Sequence, residues 1–96
     1  MTFRILINRK TLQNIQGLSE KSQRIIMEKL KILQEDPFPG RGGEKERLYT
    51  QDRDDTYRLH ISQKYTAFYR IYVKEKEVHV LDIMSIEQAH KRYGWL

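Results

Sequence analysis

His60 is the side chain in this sequence best suited to moving a proton, because an imidazole titrates near neutral pH. Arg58 precedes it by two positions and Arg70 follows in the next apolar run. Side chains alternate across an extended strand, so Arg58 and His60 leave one face of residues 57–62 while Tyr57, Leu59 and Ile61 leave the other. A guanidinium can donate paired hydrogen bonds to a phosphate. A histidine flanked by two such groups suits proton transfer beside a bound phosphate. His79 and His90 are the other histidines; the three have no metal-ligand spacing, so neither a metal nor another cofactor is expected.

These residues need a sheet to hold them together. Residues 65–73 place Tyr65, Ala67, Tyr69, Ile71 and Val73 on one face, with Thr66, Phe68, Arg70 and Tyr72 on the other. A three-residue turn of Ser62, Gln63 and Lys64 sets Ile61 opposite Tyr65, His60 opposite Thr66 and Arg58 opposite Phe68. A two-residue turn shifts the pairing by one and mixes the faces, which a buried face forbids. The next strand follows after a polar turn. The register puts Asp82 opposite Tyr69 on the core face, His79 opposite Tyr72, and Leu81 and Ile83 in an apolar strip with Phe68. That strip needs a cover, either a terminal helix or a partner; Trp95 and Leu96 are candidates to join it.

Upstream, Phe3, Ile5 and Ile7 alternate as a strand. Asn8 or Thr11 can cap a short helix carrying Leu12 and Ile15, with Gly17 at its exit. Ser19 caps a longer helix whose Ile26, Leu30 and Leu33 form a buried stripe. Asp36-Pro37-Phe38-Pro39-Gly40 ends it, since proline cannot continue a helix. Residues 45–50 read as a strand with Leu48 inward, and 51–55 as a polar turn. Ser85-Ile86-Glu87-Gln88 has capping-box form and opens a terminal helix ending near Tyr93 and Gly94. The order is strand, helix, helix, four strands and a short helix. This predicts one α+β domain over 1–96, an antiparallel sheet of about four to five strands packed on an N-terminal helical pair, with a short C-terminal helix.

The 96 residues hold 18 Lys and Arg against 13 Asp and Glu, a net charge of +5. It is spread as +4 over residues 1–35, −2 over 36–56 and +3 over 57–96, which favours a basic surface over a basic tail. Such a surface attracts polyanions, whether nucleic acid or an acidic protein. With no cysteine, disulfides and thiolate metal sites are excluded, which fits a reducing cytoplasm. Neither a signal peptide nor a membrane span is evident.

The ordered set Tyr57-Arg58-Leu59-His60, then Tyr65-Thr66-Ala67-Phe68-Tyr69, then Val78 to Ile83, then Tyr93 resembles the second half of the RelE/ParE toxin superfamily. The elements before Tyr57 fit the same order, so the resemblance spans most of the chain and implies a RelE-like fold. It further implies the toxin of a type II toxin–antitoxin pair, an endoribonuclease acting on mRNA in the ribosome, with a small acidic antitoxin as partner. RNA cleavage by 2′-hydroxyl attack needs a base, an acid and cations for the phosphorane charge. The resemblance assigns these roles to His60, Arg58 and Tyr93; Arg70, on the same sheet face, and Arg47, Lys64, Lys91 and Arg92 are the expected contacts to RNA phosphate. Thr66 replaces the family's usual arginine, and Glu87 stands near its usual late basic residue. Those departures keep two alternatives open: a ParE-like gyrase inhibitor, and an inactive relative that only binds protein.

Overall fold

The computed structural model describes residues 2–40, 43–48 and 55–93. Strand β1 (Arg4–Ile7) leads into helix α1 (Arg9–Gln16), then α2 (Glu20–Leu30) and a single turn, α3 (Ile32–Glu35). Strands β2 (Lys45–Leu48), β3 (Thr56–Ile61), β4 (Tyr65–Tyr72) and β5 (Glu77–Ser85) follow, and helix α4 (Ile86–Tyr93) closes the order. The sheet runs β1-β5-β4-β3-β2. Its last four strands pair antiparallel as predicted, but β1 joins β5 in parallel, making the sheet mixed. The chain must cross over through α1, α2 and the hairpins before returning beside its first strand, which is why local sequence did not reveal that pairing.

Helix ends follow their capping residues. Asn8 accepts from the Thr11 amide at 2.8 Å and Ser19 from the Ser22 amide at 3.2 Å. At α4 the capping box is complete, with Ser85 N donating to Gln88 Oε1 and Gln88 N to Ser85 Oγ. Gly17 sits at the end of α1 with φ −78°, a right-handed conformation open to any residue.

One face of the sheet carries the main core. Ile26, Leu30 and Leu33 run as a stripe from α2 into α3 and pack with Phe3, Ile15, Leu59, Ile61, Ala67, Tyr69 and Val78. Tyr69 is fully buried, stacks on Tyr57 with ring centroids 5.6 Å apart, and donates its hydroxyl to the Pro37 carbonyl at 2.8 Å. Burial, with Tyr57 and Asp36 nearby, pushes the Tyr69 phenol well above its usual range, so it stays a donor. This bond ties the loop after α3 to the sheet.

The β3–β4 register is the predicted one: Ile61 faces Tyr65, His60 faces Thr66 and Arg58 faces Phe68. The turn between them spans three residues, with Ser62 in the left-handed region at φ 57°. The β4–β5 register departs from expectation at a bulge. Phe68 faces Asp82 and Tyr69 faces Val80, so Leu81 is the extra residue. The bulge swaps the faces of everything after it. Asp82 therefore leaves the core face and Ile83 enters the main core; before the bulge, a register shift of two positions sets His79 opposite Arg70 rather than Tyr72. The Leu81 carbonyl turns toward α1, where Thr11 Oγ1 (3.2 Å) and Asn8 Nδ2 (3.1 Å) donate to it. Polar helix residues that sequence inspection could not connect to β5 thus fix the bulge.

The second face has a smaller core beneath α4. Leu48, Phe68, Met84 and Ala89 are buried together, with Leu81 packed against them. Leu48 is inward as expected, but toward α4 rather than α2. The terminal helix is thus the cover that the apolar strip needed, and the strip is Phe68, Met84 and Leu48, with Ile83 on the other side. Among the described residues, no helix is long and apolar enough to cross a membrane.

Candidate functional site

Strand pairing lays out the second face as rows. One reads Glu46, Arg58, Phe68, Asp82 across β2 to β5. The next holds His60, Thr66 and Met84. Arg58 and His60 therefore neighbour each other along β3, as the alternation required. The sequence reading missed Glu46. Its carboxylate reaches both: Oε2 takes a hydrogen bond from Arg58 Nη2 at 2.5 Å, and Oε1 lies 3.6 Å from His60 Nε2. Glu46 was legible only as one charge in a Lys-Glu-Arg run, because Arg58, 12 positions on, is reached only through β2–β3 pairing.

Burial separates the roles of the three. The Arg58 side chain is only 6% exposed, whereas Glu46 is 43% and His60 36% exposed. Arg58 is thus a fixed cation whose visible work is to hold the Glu46 carboxylate, rather than a group projecting at solvent. A buried guanidinium retains its charge and needs an anionic partner, so the pair orients Glu46 firmly. Glu46 and His60 form the accessible part of the cluster. An imidazole beside an oriented carboxylate is an acid–base unit, with the carboxylate placed to select the orientation of the ring.

Arg70 pairs with His79 and lies on this same face, two positions along β4 from Phe68. Its Nε is 3.8 Å from Asp55 Oδ1. Thr66 is buried, with its hydroxyl donating to the Leu59 carbonyl at 3.3 Å. The hydroxyl that replaces the family's arginine is thus spent on the backbone and offers no phosphate contact.

The remaining candidates scatter. Arg47 faces Tyr57 across β2–β3, in the layer of the main core and opposite Glu46, so pairing takes it away from the cluster. Lys64 is exposed in the β3–β4 turn, its Nζ 5.5 Å from the centre of the Tyr65 ring. On α4, Lys91 is exposed, and Arg92 Nη1 donates to Asp82 Oδ2 at 2.9 Å. Asp82 also accepts from the Ile83 amide. Its carboxylate thus has the structural partners that the sequence could not name. His90 is half-buried on α4. The Tyr93 side chain lies outside the described residues, as do Trp95 and Leu96. His79 stacks on Tyr72, with centroids 4.2 Å apart, and lies 3.0 Å from Glu77 Oε1. Among the described residues, no three of His, Asp and Glu converge as metal ligands.

With this geometry in hand, known structures provide a frame. The fold superposes on an archaeal RelE–RelB complex from Pyrococcus horikoshii OT3 with TM-score 0.71 and 24% identity, covering 88% of this chain and 96% of that one. The toxin–antitoxin complex RelBE2 of Mycobacterium tuberculosis gives TM-score 0.73 at 14% identity, over 88% and 99% of the two chains. A mutant of the E. coli toxin RelE in the free state gives 0.69 at 17% identity, over 97% and 99%. The chain has the RelE-like fold. No protein-family model matches the sequence, and no curated protein matches it significantly. The likeness therefore lies in architecture.

Proposed function

We propose that this protein is the toxin of a type II toxin–antitoxin system and an endoribonuclease that cuts mRNA on the ribosome. The observation that carries the reading is the convergence of His60 and buried Arg58 on one carboxylate, Glu46, on the α4 side of a RelE-like sheet. In this mechanism Glu46, held by Arg58, orients His60. His60 takes the proton of an RNA 2′-hydroxyl. The 2′-oxygen then bonds to the adjacent phosphorus as the bond to the 5′-oxygen breaks, leaving a 2′,3′-cyclic phosphate. The departing oxygen is protonated from solvent. Arg70 supplies positive charge on the same face, with Lys64, Lys91 and Arg92 around it as longer-range attraction for RNA. Tyr93 is assigned to the site by the resemblance alone.

No step in this scheme uses a metal or cofactor. The partners are the ribosome with its message, and a small acidic antitoxin drawn to a protein of net charge +5. The protein acts in the cytoplasm, where translation takes place. Controlled expression without antitoxin tests the reading. Protein synthesis should fall and ribosome-bound messages should be cut. Arrested replication with trapped DNA gyrase and intact messages would replace it with gyrase inhibition, and unaffected growth would leave protein binding alone.

A further inference from the structure

The α4 side of the sheet carries a second group of aromatic and charged side chains, at the end away from the Glu46 cluster. Phe68 is buried beneath α4, whereas Arg70 and Tyr72, further along β4, are half-buried and lie outside that smaller core. Pairing sets Arg70 opposite His79 and Tyr72 opposite Glu77, and β1 brings Arg4 opposite Glu77. The Tyr72 and His79 rings stack at a tilt of 36°, with centroids 4.2 Å apart. Glu77 Oε1 fixes the imidazole at Nε2, 3.0 Å away, and the other carboxylate oxygen accepts from Arg4 Nη2. Residues from three strands thus hold one ring pair in a set orientation.

The bonds from Arg4 through Glu77 to His79 would serve stability alone, but they do not account for Arg70. Among the described residues, Arg70 Nε is buried without a hydrogen bond, because the Asp55 carboxylate oxygen at 3.8 Å is beyond reach. A guanidinium short of an acceptor beside a rigid ring pair suits a ligand that joins an anion to a planar base. Unpaired RNA offers that combination, since its bases stack on tyrosine and histidine while its phosphates meet arginine. Arg70 also lies on the way to the Glu46 cluster. Thr66, which pairs with His60, is four residues back along β4, about 14 Å at the usual rise of a strand. A few nucleotides of extended strand would bridge the two places.

We propose that Tyr72 and His79 form a stacking platform for one unpaired base of a bound RNA strand, with Arg70 on a neighbouring phosphate, a few nucleotides from the bond that is cut. Purines, with the larger ring surface, are favoured there. The inference rests on the nuclease reading only in taking a single RNA strand to cross this face.

The His60→Ala variant, titrated with hexa-adenylate and hexa-uridylate RNA, tests the platform without cleavage. Hexa-adenylate should bind saturably, more tightly than hexa-uridylate, and shift the Tyr72 and His79 ring protons upfield in NMR spectra. Adding Tyr72→Leu, at a position outside both cores, should weaken hexa-adenylate roughly five- to hundredfold, the worth of one stacked base. Tyr72→Phe should bind like the parent, because stacking survives loss of the hydroxyl. Arg70→Gln should weaken both oligonucleotides and flatten the salt dependence of binding. Absence of saturable binding at millimolar hexa-adenylate would overturn the proposal. So would saturation that leaves both ring resonances unmoved, or Tyr72→Leu binding as tightly as the parent with an unchanged melting midpoint. The nuclease reading fails separately: a wild-type protein that leaves ribosome-bound message intact, yet binds hexa-adenylate through Tyr72, would remove the cleavage and support the platform. Cleavage that depends on His60 but is as efficient in Tyr72→Leu would keep the nuclease and overturn the platform.

Discussion

At the residue scale, the arrangement assigns His60 and Arg58 different work despite their shared strand face. His60 is partly open and carries the proton in the proposed mechanism; Arg58 is buried and in that mechanism acts through Glu46. Removing the imidazole in His60→Ala should cost about 10²–10⁴-fold in cleavage rate, the range typical of a positioned acid–base group. Glu46→Gln should keep the fold while removing the charge that orients the ring, so cleavage should fall. Arg58→Lys preserves a cation but replaces the planar guanidinium with a point charge, so it should hold Glu46 less firmly and retain partial activity. Single-turnover cleavage measured across pH would check all three. Tyr69 illustrates a residue with a purely structural part: Tyr69→Phe should lower stability by about 1–3 kcal/mol in urea melts, because the buried Pro37 carbonyl loses its donor.

At the scale of elements, the hairpin from Thr56 to Tyr72 was legible because alternation and turn length together permit one register. The β5 register was not, because a bulge leaves no mark in the polar–apolar pattern beyond an awkward acid. That acid, Asp82, seemed to be in the core only because the pattern was counted straight through Leu81. Likewise the parallel β1–β5 pairing and Glu46 depend on contacts far apart in sequence. The capping box at Ser85 was readable, since both partners lie within one turn. Ser85→Ala should accordingly loosen α4 by about 1 kcal/mol. The expected readout is faster amide exchange across residues 86–92, with the main core unaffected. Gly17→Ala should be tolerated or slightly stabilising, by up to about 1 kcal/mol. Its φ is right-handed, and an added Cβ would meet only the Asn14 and Gln13 carbonyls at 3.6 and 3.7 Å. Thermal melts of the variant would show the sign.

At the scale of the whole molecule, two layers serve separate ends. The α1–α2 side supplies most of the buried apolar surface, which leaves the α4 side free to carry charge around a smaller core. Acid should weaken the assembly through carboxylates that the fold holds ionised. The Glu77 carboxyl lies below its ordinary value because of the hydrogen bond from His79, with Arg4 assisting; Glu44 is lowered by its hydrogen bond and ion pair with Lys29. A depressed native pKa stabilises the fold above the unfolded value, and that contribution disappears as pH falls through the native one. The urea midpoint should therefore fall on acidification below the ordinary glutamate value of 4.5, and less steeply in His79→Ala, which removes the largest influence on Glu77.

The most direct test of the central claim is single-turnover cleavage of a message bound in ribosomes, comparing the wild-type protein with His60→Ala and Glu46→Gln after equal folding is verified by melting. The wild type should cut within the message, leaving a 2′,3′-cyclic phosphate, and His60→Ala should be slower by at least a hundredfold. Cleavage by His60→Ala at the wild-type rate would contradict the site, and intact message with the wild type would contradict the nuclease itself.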